Sequence, residues 1–463
     1  MKVEQIYTSC LSQGAYFIES NGEAAVIDPL REISNYLKLA EDSNSKIKYV
    51  FETHFHADFI SGHLTLANKT GAKIVYGPQA DPNFESIIAE DNQVFKIGAV
   101  TITAIHTPGH TLESTSYILK DENGKEHCIF TGDTLFLGDV GIPDVAQRYM
   151  GVSKEELAGI LYESVNNRIK PLPDNILVYP GHGAGSACGK NMMKETVDTL
   201  KNQKKINYAL NGSFSKEGFV KELTDNLPEP PTYFPSNVKL NQEGYLDFDK
   251  VLERGLIPLE LEKFIILSSR ENAIILDVRN QNVFKNGFVP GSIFIGLNGG
   301  FAPWVGAVLK DINIKILLVC EESQAKEAIM RLSRVGFDNC LGYLKGGFKT
   351  WQNSSNPIDT IDSKSAKEFE KSINDNINII DVRQVGERNN GYLKNSEHIP
   401  LALIDSDNKS LNKSLKYHIH CAGGYRSMIA CSILKKNGFD NTIDIEGGFG
   451  SISNNTSLEI LQN

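Results

Sequence analysis

The chain has 463 residues with 47 Lys+Arg against 57 Asp+Glu, a formal charge of −10, 41% apolar and 22% charged residues. That composition supports several packed cores and excludes a disordered chain, and the acidic balance argues against a nucleic-acid binder, which needs a basic face for phosphate. No apolar run approaches the roughly 20 residues that span a bilayer. The N-terminus has no basic-then-apolar signal segment, so a cytoplasmic protein with free thiols is expected for the seven cysteines.

In chain order, the first piece opens with short strands at AYFIES, AAVIDP and KYVFETH, continues with TITAIHT and HCIFTGD, and then predicts a helix near Lys154 to Asn167 and a strand at ILVYPGH. Seven of the ten histidines lie in the first 182 residues. The densest cluster is His54-Phe55-His56-Ala57-Asp58-Phe59. His-x-His-x-Asp at a strand end can aim several ligands at one point, and further strand ends supply His110 in TPGHT, Asp133 in TGDTLF and His182 in YPGHG. Imidazole and carboxylate together suit zinc, iron or manganese. His63, His106 and His127 read as ordinary histidines.

A first break is expected at LPEPPTYFP, residues 227–235, where four prolines in nine residues stop helix and strand. A second is expected at QNSSNP, residues 352–357. The two pieces that follow repeat each other. Each has an apolar strand ending in Asp-Val-Arg (Asp277 to Arg279, Asp381 to Arg383), and a second ending in a cysteine (Cys320, Cys421). Each then has Gly-Phe-Asp-Asn and Gly-Gly-Phe. Strands alternating with amphipathic stretches predict parallel sheets covered by helices, with chemistry at the strands' carboxyl ends. Cys421-Ala-Gly-Gly-Tyr-Arg426-Ser427 puts a cysteine between a strand and a helix, where a ring of backbone N–H groups binds anions and favours a thiolate. Arg426 adds a fork for sulfite or thiosulfate. The matching loop, Cys320-Glu-Glu-Ser-Gln-Ala-Lys, has neither glycine nor arginine, and its glutamates repel thiolate and anion alike. Cys320 is therefore expected to be inert.

The HxHxD cluster with the later His, Asp and His resembles the metallo-β-lactamase superfamily, and the DVR, cysteine-loop and GGF elements resemble rhodanese. The C-x4-R-S loop also resembles those of tyrosine phosphatases and arsenate reductases, which place one more residue before the arginine. The expected fold is α/β: a metallo-β-lactamase αββα sandwich over 1–240, then two rhodanese-like domains with parallel sheets, inactive over 250–355 and active over 358–463. Phe59 stands where dinuclear members have a histidine for a second metal. That departure resembles the persulfide dioxygenase branch. The resemblance implies one Fe(II) per chain held by His54, His110 and Asp133, with His56, Asp58 and His182 as supporting groups or ligands of a second metal. Cys188 is a candidate sulfur relay near that centre, and Lys190 a candidate contact for an anionic carrier. The branch's Gly-Arg-x-Asp arginine is replaced by Ile142, so its role is expected to be absent or moved, with Arg148 a candidate.

The reading implied is an enzyme of sulfide detoxification. Persulfide dioxygenase chemistry takes a low-molecular-weight thiol persulfide, such as glutathione, coenzyme A or bacillithiol persulfide, with O2 to sulfite. Cys421 then gives or uses thiosulfate in a rhodanese step of undecided direction. The alternatives are a dinuclear zinc thioester hydrolase of the glyoxalase II type with accessory sulfurtransferase domains, and a non-catalytic sulfur carrier or sensor. Family resemblance implies a homo-oligomer, dimer or tetramer, with no nucleic-acid or membrane partner.

Overall fold

The structure is a computed structural model that describes residues 1–143, 151–227, 230–373 and 377–462. The chain divides into two compact units, Met1–Asp249 with the short segment Ser333–Gly336, and the remainder. The proline-rich stretch is not the point of division. The helix that follows it, Phe234–Glu243, carries a proline in its first turn and buries Phe234 and Asn241 within the first unit.

The first unit has two six-stranded sheets. One runs from Lys2–Thr8 through Gln13–Ser20, Glu23–Ile27, Lys46–Phe51 and Lys73–Tyr76 to Ile87–Ile88. The other runs from Asp198–Thr199 through Leu177–Pro180, Glu126–Gly132, Thr115–Lys120 and Val100–His106 to Val94–Ile97. Strand period 2 sorts the residues. Tyr16, Ile18, Ala25, Ile27 and Phe51 meet Tyr117 and Phe130 in one core, while Phe17, Ala24 and Val26 pack outward with Tyr36 of the helix Ser34–Asp42. Ile118, Ile129 and Val178 pack against Leu161 and Phe219 of the helices Lys154–Ser164 and Lys216–Thr224. The result is the αββα order. The expected helix near Lys154 to Asn167 is α-helical to Ser164 and continues as a π turn over Val165–Ile169.

The second unit holds two five-stranded parallel sheets of the same order. The first is Pro258–Leu259, Cys340–Leu344, Ile316–Val319, Ile274–Asp277, Ile293–Phe294, and the second is Asp362–Lys364, Thr442–Ile445, Tyr417–His420, Asn378–Asp381, Ser396–His398. The repeated motifs perform the same task twice. Arg279 and Arg383 each chelate their own aspartate and donate to a carbonyl eight residues on, Gly287 O and Gly391 O, both at 2.9 Å. The Gly-Gly-Phe phenylalanines cover these guanidiniums, at 4.2 Å for Phe348 and 3.8 Å for Phe449. The second glycine of that motif has a steric cause: a Cβ at Gly448 would sit 2.3 Å from Cys421 O, and one at Gly347 would sit 2.6 Å from Cys320 O. Among the described residues no helix is long and apolar enough to cross a membrane.

Candidate functional site

The first constellation lies at the strand ends of the first unit. His54, His110 and Asp133 each offer a ligand atom within 4.8 Å of the others, and all three are buried. Their orientation is set by what each touches. Thr53 donates its N–H and hydroxyl to the two oxygens of Asp28, at 2.8 and 2.9 Å. Its hydroxyl proton is thereby used, so the 3.0 Å contact with His54 Nδ1 requires the ring to donate, leaving His54 Nε2 bare. His110 Nδ1 lies 2.7 Å from Ile142 O, and a carbonyl only accepts, so His110 Nε2 is also bare and faces Asp133 at 3.6 Å. Both Asp133 oxygens are buried with no hydrogen-bond partner among the described residues. Such orphaned acceptors beside two bare imidazole nitrogens fit a divalent cation. Burial, then the charges of His56, His110 and His182, hold the His54 imidazole well below its ordinary range, keeping it neutral as ligation requires. Glycine is needed around Asp133: a Cβ at Gly181 would come within 2.5 Å of its Oδ1.

The His56 ring lies 4.3 Å from that of His54, but its ligand atom groups with Asp28 and Glu52. Its Nε2 lies 3.1 Å from Asp28 and 3.4 Å from Glu52. Burial opposes charge on His56, but the two carboxylates outweigh it and push its pKa up, while burial pushes Glu52 to about 7. Phe59 is buried with its ring 4.3 Å from that of His56. Asp58 and His182 form another group with Cys188, their ligand atoms within 4.8 Å of one another. Burial, then the charges of Asp58 and Asp133, push the Cys188 thiol well up. His182 also lies 3.7 Å from Asp133, so the two groups adjoin.

Other expected contacts fall elsewhere. Lys190 Nζ donates to Glu222 O and Asp225 O at 2.9 and 2.7 Å, capping a helix end, which occupies the amine considered for an anionic carrier. Arg148 lies outside the described residues. Ile142 replaces the arginine's side chain, yet its carbonyl orients His110. Asp28, Glu52 and Asn241 were not expected in the site. Asn241 Nδ2 donates to His56 O and Phe59 O at 2.7 and 2.8 Å, bracing the HxHxD loop from 185 and 182 residues away. The strand-end aspartate of AAVIDP was the available signal for Asp28; nothing local marked Asn241.

The second constellation surrounds Cys421. The residue follows the strand Tyr417–His420 and precedes the helix Tyr425–Lys436, and it is buried. Gly424, at φ +94, donates its N–H to Cys421 Sγ at 3.0 Å, and Ser427 Oγ lies 3.6 Å from the sulfur. Arg426 is held end-on by Glu387, with both contacts at 2.6 Å. Arg388 reaches Asp381 at 3.1 Å. Counted from each DVR, the first repeat has Val283 in place of Glu387 and Phe284 in place of Arg388. That alignment was the signal for both residues. At the matching loop of the first repeat, burial, then neighbouring groups including Asp277, Glu321 and Glu322, push Cys320 up to about 12.

The metallo-beta-lactamase superfamily model matches residues 9–182 and the rhodanese-like domain model matches 261–354 and 365–455. The mitochondrial persulfide dioxygenase ETHE1 of Mus musculus is 30% identical over 211 residues, covering 45% of this chain and 74% of that protein. A hydroxyacylglutathione hydrolase of Dictyostelium discoideum is 37% identical over 171 residues, covering 35% of this chain and 59% of that protein. The first curated relatives, all hydroxyacylglutathione hydrolases, are matched over 60%, 59% and 66% of their length. Among solved structures, a metallo-beta-lactamase from Staphylococcus aureus subsp. aureus COL superposes with a TM-score of 0.66 at 30% identity, covering 74% of this chain and 98% of that one.

Proposed function

The chain belongs to the metallo-β-lactamase superfamily and carries rhodanese-like domains, and from that premise we propose that it is a persulfide dioxygenase joined to a thiosulfate sulfurtransferase, acting in sulfide detoxification. The observation that carries the reading is the three-residue set His54, His110 and Asp133, with His56 Nε2 turned to Asp28 and Glu52 and its ring covered by Phe59. Two histidines and one carboxylate on one face leave coordination positions free, as non-haem iron oxygenases require. Bound there, one ferrous ion would supply the common centre for a persulfide and O2 and the electrons that activate oxygen.

The chain's own residues prepare that chemistry. Asp28 through Thr53, and Ile142 through its carbonyl, fix which nitrogen of each histidine is bare. Asp133 brings the negative charge, and the buried walls exclude bulk water. The first reaction consumes one persulfide, one O2 and one water and yields thiol, sulfite and two protons. In the second, Cys421 takes the outer sulfur of another persulfide, releasing its thiol. Sulfite then attacks the outer sulfur of the Cys421 persulfide. The S–S bond breaks, its electron pair returns to Cys421 Sγ, and thiosulfate leaves. Gly424 N–H stabilises the returning charge, and Arg426 receives the sulfite oxygens. Run backwards, the same steps cleave thiosulfate. A relay through Cys188 needs its acidic neighbours neutralised, as metal ligation of Asp133 would do.

A second reading has its own support: Asp58, His182 and Cys188 form an adjoining ligand set, and several relatives are hydroxyacylglutathione hydrolases. A second metal there would make the site a dinuclear zinc thioesterase. Elemental analysis of anaerobically purified protein tests the two. About one iron per chain, with oxygen uptake on glutathione persulfide, supports the dioxygenase. Two zinc ions per chain, with thioester hydrolysis, refutes it.

A further inference from the structure

The domain with the degraded Cys320 loop is not left as a spacer by the geometry of the second unit. The strand Ile293–Phe294 and the segment after it lie against the helix that begins at Tyr425. Phe294 donates its N–H to Ser432 Oγ at 3.0 Å, in a buried contact. Tyr425 donates its hydroxyl to Gly296 O at 2.7 Å, and its ring meets that of Phe294 edge-on at 5.9 Å. The ring rests on the bare Cα of Gly299, where a Cβ would come within 2.4 Å of Tyr425 Cζ. One helical turn on, Trp304 lies with its ring 5.7 Å from the Arg426 guanidinium carbon.

Apart from the Ser432 bond, these contacts fall on Tyr425 and Arg426, the last two residues of the Cys421 loop before Ser427. Arg426 is thus held from two sides: by Glu387 of its own domain through a two-point ion pair, and by an aromatic face from the silent domain. The aromatic face removes rotamer freedom from a side chain that otherwise has much to lose on meeting an anion, whereas the Glu387 carboxylate occupies the terminal nitrogens that an anion would take. A planar guanidinium fixed in advance is what bidentate recognition of a sulfur oxyanion needs.

We propose that the silent domain completes the sulfur-transfer site: Trp304 is a positioning residue for Arg426, and through it sets the affinity of the Cys421 loop for thiosulfate and sulfite. The proposal rests on Cys421 being the transfer cysteine. It gives the degraded domain a defined task, to supply the wall opposite Glu387, and explains why its segment Gly296 to Trp304 carries glycines where Tyr425 lands while its own cysteine loop has lost the residues for chemistry.

The test compares W304L, which keeps an apolar side chain without a π face, with W304F, which keeps a π face, in the full-length protein. Thiosulfate is the donor and cyanide the acceptor, and sulfate serves as an unreactive anion competing for the site. W304L is expected to raise KM for thiosulfate and the sulfate inhibition constant together, roughly three- to tenfold, the range open to a half-buried cation–π contact. Its kcat should stay within about twofold, and W304F should restore both constants to within about twofold of wild type. A purely structural role would lower kcat or melting temperature and leave KM and sulfate inhibition unmoved, and that result overturns the proposal. So does W304L with wild-type constants. Wild-type protein with no cyanide-dependent transfer would instead overturn the assignment of Cys421, and this inference with it.

Discussion

Replacing Arg426 by glutamine removes the one guanidinium in the Cys421 loop while keeping a polar, uncharged side chain. If Arg426 receives the thiosulfate oxygens, the loss is that of hydrogen bonds to a charged group, about 1.5–3 kcal/mol. At about 1.4 kcal/mol per tenfold, kcat/KM for thiosulfate should fall by about 10- to 150-fold. The same geometry makes a second, oppositely signed prediction. Glu387 holds both terminal nitrogens of Arg426 at 2.6 Å, so an arriving anion competes with a carboxylate. The Glu387 side chain is 36% exposed, which places the pair in the range of surface ion pairs, about 0.2–1 kcal/mol. Glu387→Gln should therefore lower KM for thiosulfate, by at most about fivefold, rather than raise it. The amide still accepts from Gln384 N–H, the 2.9 Å bond that starts the short helix Val385–Asn389. Steady-state thiosulfate:cyanide transfer with both variants and the double variant is the assay. Activity of R426Q within twofold of wild type, or a raised KM in E387Q, would refute the picture of Arg426 as an anion fork shared with Glu387.

Cys421→Ser should abolish thiosulfate formation and cyanide-dependent transfer while sparing sulfite release from persulfide, measured on the same preparation. If both activities vanish together, the division of labour between the two units is wrong. His110→Ala should remove bound metal and oxygen uptake and leave cyanide-dependent transfer intact; retained oxygen uptake would strike His110 from the ligand set. Cys320→Ala should leave sulfur transfer unchanged, and a loss greater than about twofold would show that the degraded loop is active. The twin aspartates should respond to acid with opposite signs. Burial raises Asp277 despite Arg279, so its contribution to stability is full below the ordinary aspartate pKa and lost as pH rises through the raised value. Burial also opposes charge on Asp381, but Arg383 and His420 outweigh it and lower the pKa, so its contribution is present above the ordinary value and lost as pH falls through the lowered one. Across about pH 5 to 3, D381N should make the fall in melting temperature shallower and D277N should make it steeper. Equal slopes would refute the difference.

The residue patterns carried chemistry that is local in the chain. His-x-His-x-Asp, the strand-end His110, Asp133 and His182, and the contrast between the glycine-rich loop at Cys421 and the acidic loop at Cys320 are sequential features, and their residue types restrict what they can bind. The duplicated DVR and GGF elements likewise announced two parallel sheets, since each motif is one strand end or one turn. Which way a side chain points is a different matter, settled by partners far along the chain. His56 lies two residues from His54, yet Asp28, 28 residues back, and Glu52 face its Nε2. Ile142 looked like a lost arginine, and its carbonyl instead sets the His110 tautomer from 32 residues away. Asn241 braces the ligand loop across more than 180 residues, and Tyr425 anchors on Gly296 across 129. A motif fixes the atoms available for chemistry. Buried polar groups must find partners wherever the packed fold brings them, and that pairing, decided only in three dimensions, sorts the histidines and carboxylates into separate groups.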